Sequence, residues 1–391
     1  MEQPTVYVLG GGQLGGMMQV AALELGVNIK FLCKKNDPCT RYNHTIGDVR
    51  EFRHVVWFGT ELVKIPNSFL TIEVENVNHL AVDFLQNQMK VNCNSFANPL
   101  SLIQDKLKQK IVLEKNHIPT STFLTLDSFV NNSDIQQQMI WKTRFGGRDG
   151  FGVKIIYSLK EIPDHSVPAI LEKKIDLCEE ISVIVCRDQL GNMVYYPPVR
   201  MEFGKDSNQV EIVEYPAKIR SLKQSKQIQN IAKKTAEVFG CVGLLAIEMF
   251  IDNLGQVWVN EVAPRLHNSG HLFTEASNVS QAKNHLLAIT GQEIIEPKMN
   301  TPIASMINIV GAGEGNNYYF AKDPIVDLLD KNNGNFLVRI YDYAKKGIKD
   351  NRKIGHIVIL YNGPKKTLDG HDFAIYEELI ESAKRIKAYP I

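Results

Sequence analysis

The chain has 391 residues, of which 44% are hydrophobic and 22% charged, and its formal net charge is +1. This length predicts two or three domains of a globular protein with ample apolar material for its cores. The balanced charge argues against a broad nucleic-acid-binding surface, and no apolar run approaches the roughly 18 residues that a membrane helix requires. The N-terminal residues predict no secretory signal, and six cysteines without a Cys-x-x-Cys pair indicate free thiols in a reducing cytoplasm.

The N-terminal residues follow the order strand, glycine-rich loop, helix and strand, which predicts the start of a doubly wound sheet. The first strand covers residues 5–9, and Gly10, Gly12 and Gly15 then stand at the GxGxxG spacing. The dinucleotide-binding fingerprint includes an acidic residue after the second strand, but Cys33 and two lysines stand there. The loop amides therefore bind either the phosphate of an NADP-type cofactor or some other phosphate or small polar substrate.

Two further segments before residue 111 carry charged groups. Residues 69–77 predict a strand that ends in Glu73 and Glu75, which we expect to line a crevice beside the glycine loop. Lys106 and Lys110 lie one turn apart on a predicted helix, a pattern that is most often only a solvated helix face.

The region after residue 111 contains the pattern of a nucleotide site. A strand over residues 139–144 carries Lys142, and the glycine-rich stretch 145–152 leads into another strand. Such a turn can cover a triphosphate with its backbone N–H groups while the lysine contacts the phosphates. Residues 169–175 predict a strand and an acidic hinge that can read an adenine edge, and Glu180 can accept from ribose hydroxyls.

Two apolar runs on either side of residues 253–255 predict a β-hairpin with Glu248 on one strand and Asn260 and Glu261 on the other. Adjacent antiparallel strands lie about 5 Å apart, so two carboxylates on one face can hold a hard cation such as Mg²⁺. On spacing alone, an ordinary hairpin with edge carboxylates is an equal alternative. The polar block at residues 265–271, where the second strand ends, favours the functional interpretation.

The last hundred residues predict a small β-rich domain with strands at 303–309, 336–340 and 355–360. A basic cluster at residues 345–353 lies between two of these strands. It is either a solvated loop or, if folded back on the cleft, a phosphate clamp.

The order of these motifs resembles the ATP-grasp superfamily and, within it, the N5-carboxyaminoimidazole ribonucleotide synthetases. The matching segments are residues 9–15, 71–77, 142–144, 260–271 and 352–356. They span almost the full chain, and the His-Asn-Ser-Gly-His sequence that ends the fourth segment is the most specific of them.

The resemblance implies an α/β fold, α+β overall, with ATP-grasp architecture. A doubly wound Rossmann-like pre-ATP-grasp domain would cover residues 1–98. The ATP-grasp domain of two α+β subdomains would cover residues 99–297, with its lid subdomain at about 111–175. A small β-rich domain would cover residues 298–391.

The resemblance also implies the ligands of the site. The residues implied for ATP are Lys106, Lys142, Gly147, Arg148, Asp149, Gly150, Phe151, Gly152, Val153, Glu172, Lys173, Lys174, Ile175, Glu180, Asn260 and Glu261. Those implied for Mg²⁺, expected as two ions that Mn²⁺ can replace, are Glu248, Asn260 and Glu261. Those implied for aminoimidazole ribonucleotide are Gln13, Leu14, Glu73, Asp149, Arg265, His267, Asn268, Ser269, Arg352 and either Lys345 or Lys346. The catalytic residues implied are Arg265, His267 and Asp149.

The chain departs from the family pattern at several of these positions. Arg148 and Phe151 stand in exchanged places in the glycine-rich lid, so their individual roles are not assigned. Met201 falls near the position where a nucleotide-facing histidine is often found. The loop before Arg352 is longer than usual, which leaves Lys345 and Lys346 as alternatives.

The reaction that the resemblance implies is carboxylation of aminoimidazole ribonucleotide by ATP and bicarbonate through carboxyphosphate, in purine biosynthesis. Asp149 or His267 would orient or deprotonate the amine, and the enzyme would be a cytoplasmic homodimer. The alternatives are a formate-using glycinamide ribonucleotide ligase of the same superfamily, an NADP-dependent oxidoreductase built on the N-terminal loop, and a catalytically inactive regulatory binder.

Overall fold

The computed structural model describes residues 2–93, 96–126, 138–147, 152–204, 208–321, 323, 326, 334–363 and 368–391. Arg148, Asp149, Gly150 and Phe151 of the predicted lid lie outside the described residues. Among the helices of the described residues, none is both long and apolar enough to cross a membrane.

The N-terminal region is a four-stranded parallel sheet with the strand order β3-β2-β1-β4. Its strands are β1 (Thr5–Leu9), β2 (Asn28–Cys33), β3 (His44–Ile46) and β4 (Ser68–Ile72). Its helices are α1 (Gln13–Leu25), α2 (Phe52–Thr60), α3 (His79–Asn87) and α4 (Ala97–Ile103). Strands β1 and β4 are buried along nearly their whole length, because helices cover both faces of a parallel sheet. The predicted doubly wound domain is confirmed.

Strand β4 ends earlier than the sequence predicted. The prediction extended it to residue 77, but the strand stops at Ile72. The N–H of Glu73 still donates to the carbonyl of Leu9, at 3.1 Å, and the Glu73 side chain then turns into the glycine loop. The two carboxylates at positions 73 and 75 thus lie at the carboxyl end of the parallel sheet, as expected.

A second, antiparallel sheet of four strands follows α5 (Lys106–Lys115), in the order β5-β8-β6-β7. Its strands are β5 (Phe123–Thr125), β6 (Met139–Thr143), β7 (Val153–Ile156) and β8 (Ala169–Lys173). Strands β6 and β7 pair antiparallel, so the glycine-rich stretch does connect two strands of one hairpin.

The largest sheet runs in the order β14-β13-β9-β11-β12-β15-β18-β17, with β10 paired to β9. Its strands are β9 (Leu177–Arg187), β10 (Met193–Tyr195), β11 (Val199–Phe203), β12 (Val210–Tyr215), β13 (Gly243–Asp252), β14 (Val257–Ala263), β15 (Ala304–Val310), β17 (Phe336–Asp342) and β18 (Lys353–Tyr361). The helices of this part are α6 (Leu222–Phe239), α7 (Phe273–Ala276), α8 (Gln281–Ile289) and α9 (Gly370–Lys384). A two-stranded sheet joins β16 (Tyr318–Phe320) to β19 (Ala388–Pro390).

The C-terminal strands are not a separate sheet. Strand β15 pairs antiparallel with β12, so backbone hydrogen bonds run without interruption across the predicted boundary between residues 297 and 298. The three strands predicted near residues 303, 336 and 355 are confirmed as β15, β17 and β18.

Strand β13 lies between two apolar layers, one on each face of the sheet. Leu245 and Ile247 face the layer that contains α6, whereas Leu244 and Ala246 face the layer that contains α8. Since side chains alternate along a strand, Glu248 falls on the α8 face, where the apolar cover ends. This placement puts Glu248 at the end of the apolar layer that β13 shares with the N-terminal sheet.

Candidate active site

The hairpin of β13 and β14 places Glu248 directly opposite Glu261. Directly opposed residues of an antiparallel pair have their side chains on the same face, so the predicted carboxylate pair is confirmed. The register then shifts by one, because Met249 opposes Val259 and leaves Asn260 as the extra residue of a β-bulge. The bulge brings Asn260 beside the carboxylates, since its amide nitrogen lies 3.5 Å from an oxygen of Glu248.

Two lysines from other elements contact this hairpin. Lys106, the first residue of α5, donates from Nζ to Oε2 of Glu261. Lys142 on β6 donates from Nζ to Oδ1 of Asn260 at 2.8 Å. Burial alone would raise the pKa of Glu261, but the nearby ammonium groups of Lys106 and Lys142 outweigh it and hold that pKa below its usual value. The result is a compact group of carboxylate, amide and ammonium groups at the edge of the large sheet.

Glu172, predicted to hold adenine, is 2% exposed. Its carboxylate lies 3.1 Å from Nζ of Lys142 and 3.0 Å from Nζ of Lys110, and the hydroxyl of Ser121 donates to it. Burial raises the pKa of Glu172, but the two ammonium groups and the hydroxyl bring it down to about 2. An adenine contact by this side chain remains a prediction, but its carboxylate is the counter-ion of two lysines.

The predicted hinge connects β8 to β9. Lys173 and Lys174 are exposed, Ile175 is half-buried, and Nζ of Lys174 donates to Oε1 of Gln138 at 2.8 Å. Glu180 lies two residues from Ser182, which pairs with Glu248 across β9 and β13, so both carboxylates share one face. Burial, and then repulsion from Glu248, raise the pKa of Glu180 to about 7 against the opposing effect of Lys142. This carboxyl can therefore both donate to and accept from a ribose hydroxyl near neutral pH.

The described part of the lid fits the predicted turn. Val153 pairs with Lys142, and Gly152 precedes it with a φ of +78°. A Cβ atom on Gly152 would lie 2.3 Å from the Thr143 hydroxyl, so only glycine fits there. Gly147 is half-buried where the described residues of the turn end.

His267 is held between Glu248 and Ser269. Its Nε2 lies 3.2 Å from Oε1 of Glu248, and its Nδ1 accepts from the backbone N–H of Ser269 at 3.3 Å. In the neutral ring, Nε2 then carries the proton and donates to Glu248. Both ring nitrogens are thereby engaged, an arrangement in which His267 orients the Glu248 carboxylate.

The other predicted residues of the polar block are also engaged. Ser269 is fully buried and donates from its hydroxyl to that of Ser182 at 2.8 Å. Asn268 and Asn308 exchange two amide hydrogen bonds, at 3.0 and 2.8 Å, which tie the block to β15. Arg265 makes a forked ion pair with Glu75, in which burial raises the pKa of Glu75 but Arg265 lowers it to about 2.

The glycine loop is occupied by a carboxylate of the chain itself. The N–H groups of Gly12 and Gly15 donate to the two oxygens of Glu73, the second at 2.7 Å. A Cβ atom on Gly12 would lie 2.7 Å from Oε1 of Glu73, which explains the glycine at this position. These two amides hold a carboxylate of the chain itself, which counts against both the phosphate and the NADP interpretations of the loop. Gln13 and Leu14 begin α1 beside this carboxylate.

The two candidate lysines of the basic loop have different surroundings. Lys345 is half-buried, its Nζ donates to the carbonyl of Lys353 at 2.7 Å, and its charge acts on the Glu73 carboxylate. Lys346 is exposed. Arg352 donates from Nη1 to the carbonyls of Lys346 and Gly347, at 3.2 and 3.0 Å. The loop thus lies against the N-terminal domain, with Lys345 near Glu73 and Lys346 exposed to solvent.

Several residues of this site were not assigned from the sequence. His271 is 1% exposed, its ring centroid lies 5.0 Å from that of His356, and its Nε2 has no hydrogen-bond partner within the described residues. His271 and His356 both belong to motifs on which the resemblance rests, so these motifs could have identified them. Asn308 and Ser182 had no such signal, because each lies within an ordinary apolar strand sequence.

Comparison with known proteins places these elements in a class. The family model described as the ATP-grasp domain matches residues 111–282. The ribonucleotide synthetase preATP-grasp domain matches residues 3–104, and the phosphoribosylaminoimidazole carboxylase C-terminal domain matches residues 304–368. Together with the lysine-lined carboxylate hairpin, these matches define an ATP-grasp protein.

A full-length relative narrows the class. The N5-carboxyaminoimidazole ribonucleotide synthase of Staphylococcus haemolyticus is 30% identical over 378 residues, which cover 93% of this chain and 94% of the relative. The chain belongs to the N5-carboxyaminoimidazole ribonucleotide synthase family.

Solved structures agree with this assignment. The synthetase from Thermotoga maritima superposes with a TM-score of 0.84 at 26% identity over 100% of both chains. The Aspergillus clavatus synthase, solved as a complex with ATP, gives a TM-score of 0.84 at 25% identity and covers 98% of this chain and 99% of its own.

Proposed function

We propose that the chain carboxylates 5-aminoimidazole ribonucleotide with ATP and bicarbonate, giving N5-carboxyaminoimidazole ribonucleotide, ADP and phosphate in purine biosynthesis. The observation that carries this proposal is the meeting of two sets of residues at Glu248. Asn260 contacts Glu248 from the side of Lys142, and His267 contacts it from the side of the polar block. A phosphate donor and an acceptor can therefore meet at one point.

We propose that Mg²⁺, as two ions that Mn²⁺ can replace, binds at Glu248, Asn260 and Glu261. The donor set fits this metal, because all three side chains offer oxygen and the two carboxylates face each other. The described residues contain no group of three His, Cys, Asp or Glu that could hold an ion alone. Mg²⁺ commonly completes its shell with water and substrate phosphates, and when bound it neutralises the charge of the transferring phosphoryl group.

In the first step, a bicarbonate oxygen attacks the γ-phosphorus of ATP, ADP leaves, and carboxyphosphate forms. The chain supplies position and charge and no covalent nucleophile. The ammonium groups of Lys142 and Lys106 already contact the hairpin, where they would bind the phosphates. The glycine-rich lid would exclude water, which otherwise destroys carboxyphosphate.

In the second step, the exocyclic amine of the ribonucleotide attacks the carboxyl carbon of carboxyphosphate, phosphate leaves, and the amine loses a proton. Arg265 lies beside Glu75 at the carboxyl end of β14, where its charge would stabilise the departing phosphate. His267 would fix the Glu248 carboxylate, as its two hydrogen bonds suggest. Asp149 stays the proposed partner of the amine, although it lies outside the described residues.

Arg352→Ala is expected to raise the KM for the ribonucleotide about 10- to 100-fold and to leave kcat and the KM for ATP within about twofold. The reason is that Arg352 and Lys345 would bind the 5′-phosphate, which is remote from the reacting amine, through charge-assisted hydrogen bonds. Steady-state kinetics with each substrate varied in turn measure the effect. Lys349→Ala, which removes an exposed cation of the same loop, is the matched control. An unchanged KM in Arg352→Ala would remove this residue from the site.

The activity itself is tested by ADP release with combinations of substrates. We expect ADP formation to require both bicarbonate and aminoimidazole ribonucleotide. Turnover that requires formate and glycinamide ribonucleotide instead would assign the chain to the other ligase, and ADP binding without any turnover would favour the regulatory alternative. We further propose that the protein is a cytoplasmic homodimer, and light scattering of the purified protein tests its oligomeric state.

A further inference from the structure

Lys110 is a buried lysine that the proposed reaction does not use. It lies on α5 one turn after Lys106 and is 2% exposed, so the solvated helix face expected from its spacing is wrong. Its Nζ donates to the hydroxyls of Thr120 at 2.8 Å and Ser121 at 2.9 Å, and it lies 3.0 Å from Oε2 of Glu172. An ammonium group has three protons, and these three partners account for all of them.

Two ammonium groups share the one carboxylate of Glu172. Lys110 contacts its Oε2, and Lys142 approaches its Oε1 at 3.1 Å. The three side chains are 2%, 2% and 7% exposed, so their charges are little screened by water. The formal charge of the group is +1, and its outer end is the Lys142 ammonium that contacts Asn260.

The charge count shows what Lys110 contributes. A carboxylate paired with Lys142 alone would form a neutral pair and would hold that lysine against attraction by phosphates. With Lys110 present, one positive charge remains uncancelled beside the carboxylate hairpin. The same contact also lowers the cost of keeping Glu172 ionised in a buried position.

Lys110 is also connected to the hairpin through the backbone. The hydroxyl of Thr120 donates to the carbonyl of Val259 at 2.7 Å, and the N–H of Val259 donates to the carbonyl of Pro119 at the same distance. Val259 directly precedes Asn260. Lys110 therefore joins α5, strand β8 through Glu172, and the bulge of β14.

We propose that Lys110 is a positioning residue for nucleotide binding: by balancing Glu172 it leaves the charge of Lys142 available to the phosphates of a nucleoside di- or triphosphate. This inference rests on the proposed function only in that an adenine nucleotide occupies the site. It assigns Lys110 no contact with the ligand.

The test compares MgADP binding by calorimetry in the wild type, Lys110→Met, Glu172→Gln, and the double variant Lys110→Met/Glu172→Gln. We expect Lys110→Met to bind MgADP at least about tenfold more weakly. The double variant removes both buried charges and restores the formal charge of +1, so Lys110→Met should weaken binding by no more than about threefold when it is added to Glu172→Gln. Lys108→Met on the exposed face of α5 is the matched control and should bind normally.

The wild type supplies a second readout that does not depend on how a variant folds. Burial lowers the pKa of Lys110 to about 8 against the opposing attraction of Glu172, and Lys142 and Lys106 lower it further. Raising the pH through 8 should therefore weaken MgADP binding by the wild type, and the double variant should lack this dependence. A purely structural lysine would not produce this difference.

Each outcome either supports or overturns the proposed role of Lys110. Wild-type affinity in folded Lys110→Met overturns the proposal, and so does an equal weakening by Lys110→Met with and without Glu172→Gln. If Lys110→Met does not fold, the pH dependence of the wild type and the comparison of the double variant with Glu172→Gln test the proposal. A wild-type affinity for MgADP that is flat between pH 7 and 9 then overturns the proposal. No adenine nucleotide binding by the wild type would instead refute the proposed function, which separates the two failures.

Discussion

Glu261→Ala is expected to reduce ATP turnover by at least about a thousandfold. Glu261 faces Glu248 across the hairpin, so its loss leaves a metal ion with one protein carboxylate in place of two. It also leaves Lys106, which donates to Glu261, without this partner beside the phosphates. Removal of one preorganised electrostatic contact in an active site typically costs about 10²- to 10³-fold, and here two are disturbed together.

Single-turnover ADP formation measures the effect at saturating ATP, bicarbonate and ribonucleotide. Glu261→Gln separates charge from shape, because it keeps an oxygen ligand while it removes the negative charge, and it should fall between the wild type and Glu261→Ala. Glu237→Ala on the exposed face of α6 is a suitable control for the loss of a carboxylate. Near-normal ADP formation by folded Glu261→Ala would contradict the assignment of this hairpin as the nucleotide and metal site.

Acidification from pH 7 to pH 5 is expected to destabilise the fold through its buried histidines. Burial lowers the pKa of His356 to about 3 and that of His285 to about 4, and it also places the pKa of His271 well below its usual value of 6.5. The unfolded chain takes up protons below pH 6.5 and the folded chain does not, so stability is present above pH 6.5 and is lost as the pH falls. His285 and His356 each contribute a loss of roughly 2 kcal/mol at pH 5.

Glu180 acts in the opposite sense throughout this range, because its pKa is raised to about 7 in the folded chain. A variant of one histidine therefore isolates the contribution of that histidine better than the total change in the free energy of unfolding does. His285 accepts from the N–H of Leu244 at Nδ1 and lies 2.9 Å from the Thr71 hydroxyl at Nε2, two contacts that a glutamine amide can imitate.

The free energy of unfolding, from denaturant titrations at pH 7 and pH 5, measures the difference. His285→Gln should lose about 2 kcal/mol less than the wild type between these two pH values. His371→Gln, which changes an exposed histidine, should lose the same amount as the wild type. An equal loss in His285→Gln would mean that His285 is protonated in the folded chain at pH 5.

The elements of the fold could be predicted from local patterns, because the β-rich runs, glycine stops and charged strand ends each lie within a few residues. The opposition of Glu248 and Glu261 follows from such a pattern, since a short turn fixes the register of a hairpin. The bulge at Asn260 could not be predicted, because one extra residue in a strand leaves no mark on the apolar alternation.

The contacts that complete the site join distant positions. The pairs Glu75 with Arg265, Asn268 with Asn308, and Lys110 with Glu172 connect separate elements, so their formation depends on how those elements pack. Lys110 shows the limit most clearly, because a lysine one turn after another lysine has the same local pattern on a wet surface as in a buried cluster. The resemblance of whole motifs supplied the assignment that spacing alone could not.

The carboxylate of Glu73 in the glycine loop has a consequence for selectivity in the cell. An anion attached to the chain competes at an effective concentration in the millimolar range or above, and it never diffuses away. Free dinucleotides and inorganic phosphate would have to displace this built-in competitor before they could reach the amides of Gly12 and Gly15. The loop can thus retain a nucleotide-binding sequence while being blocked against the metabolites that such sequences usually attract.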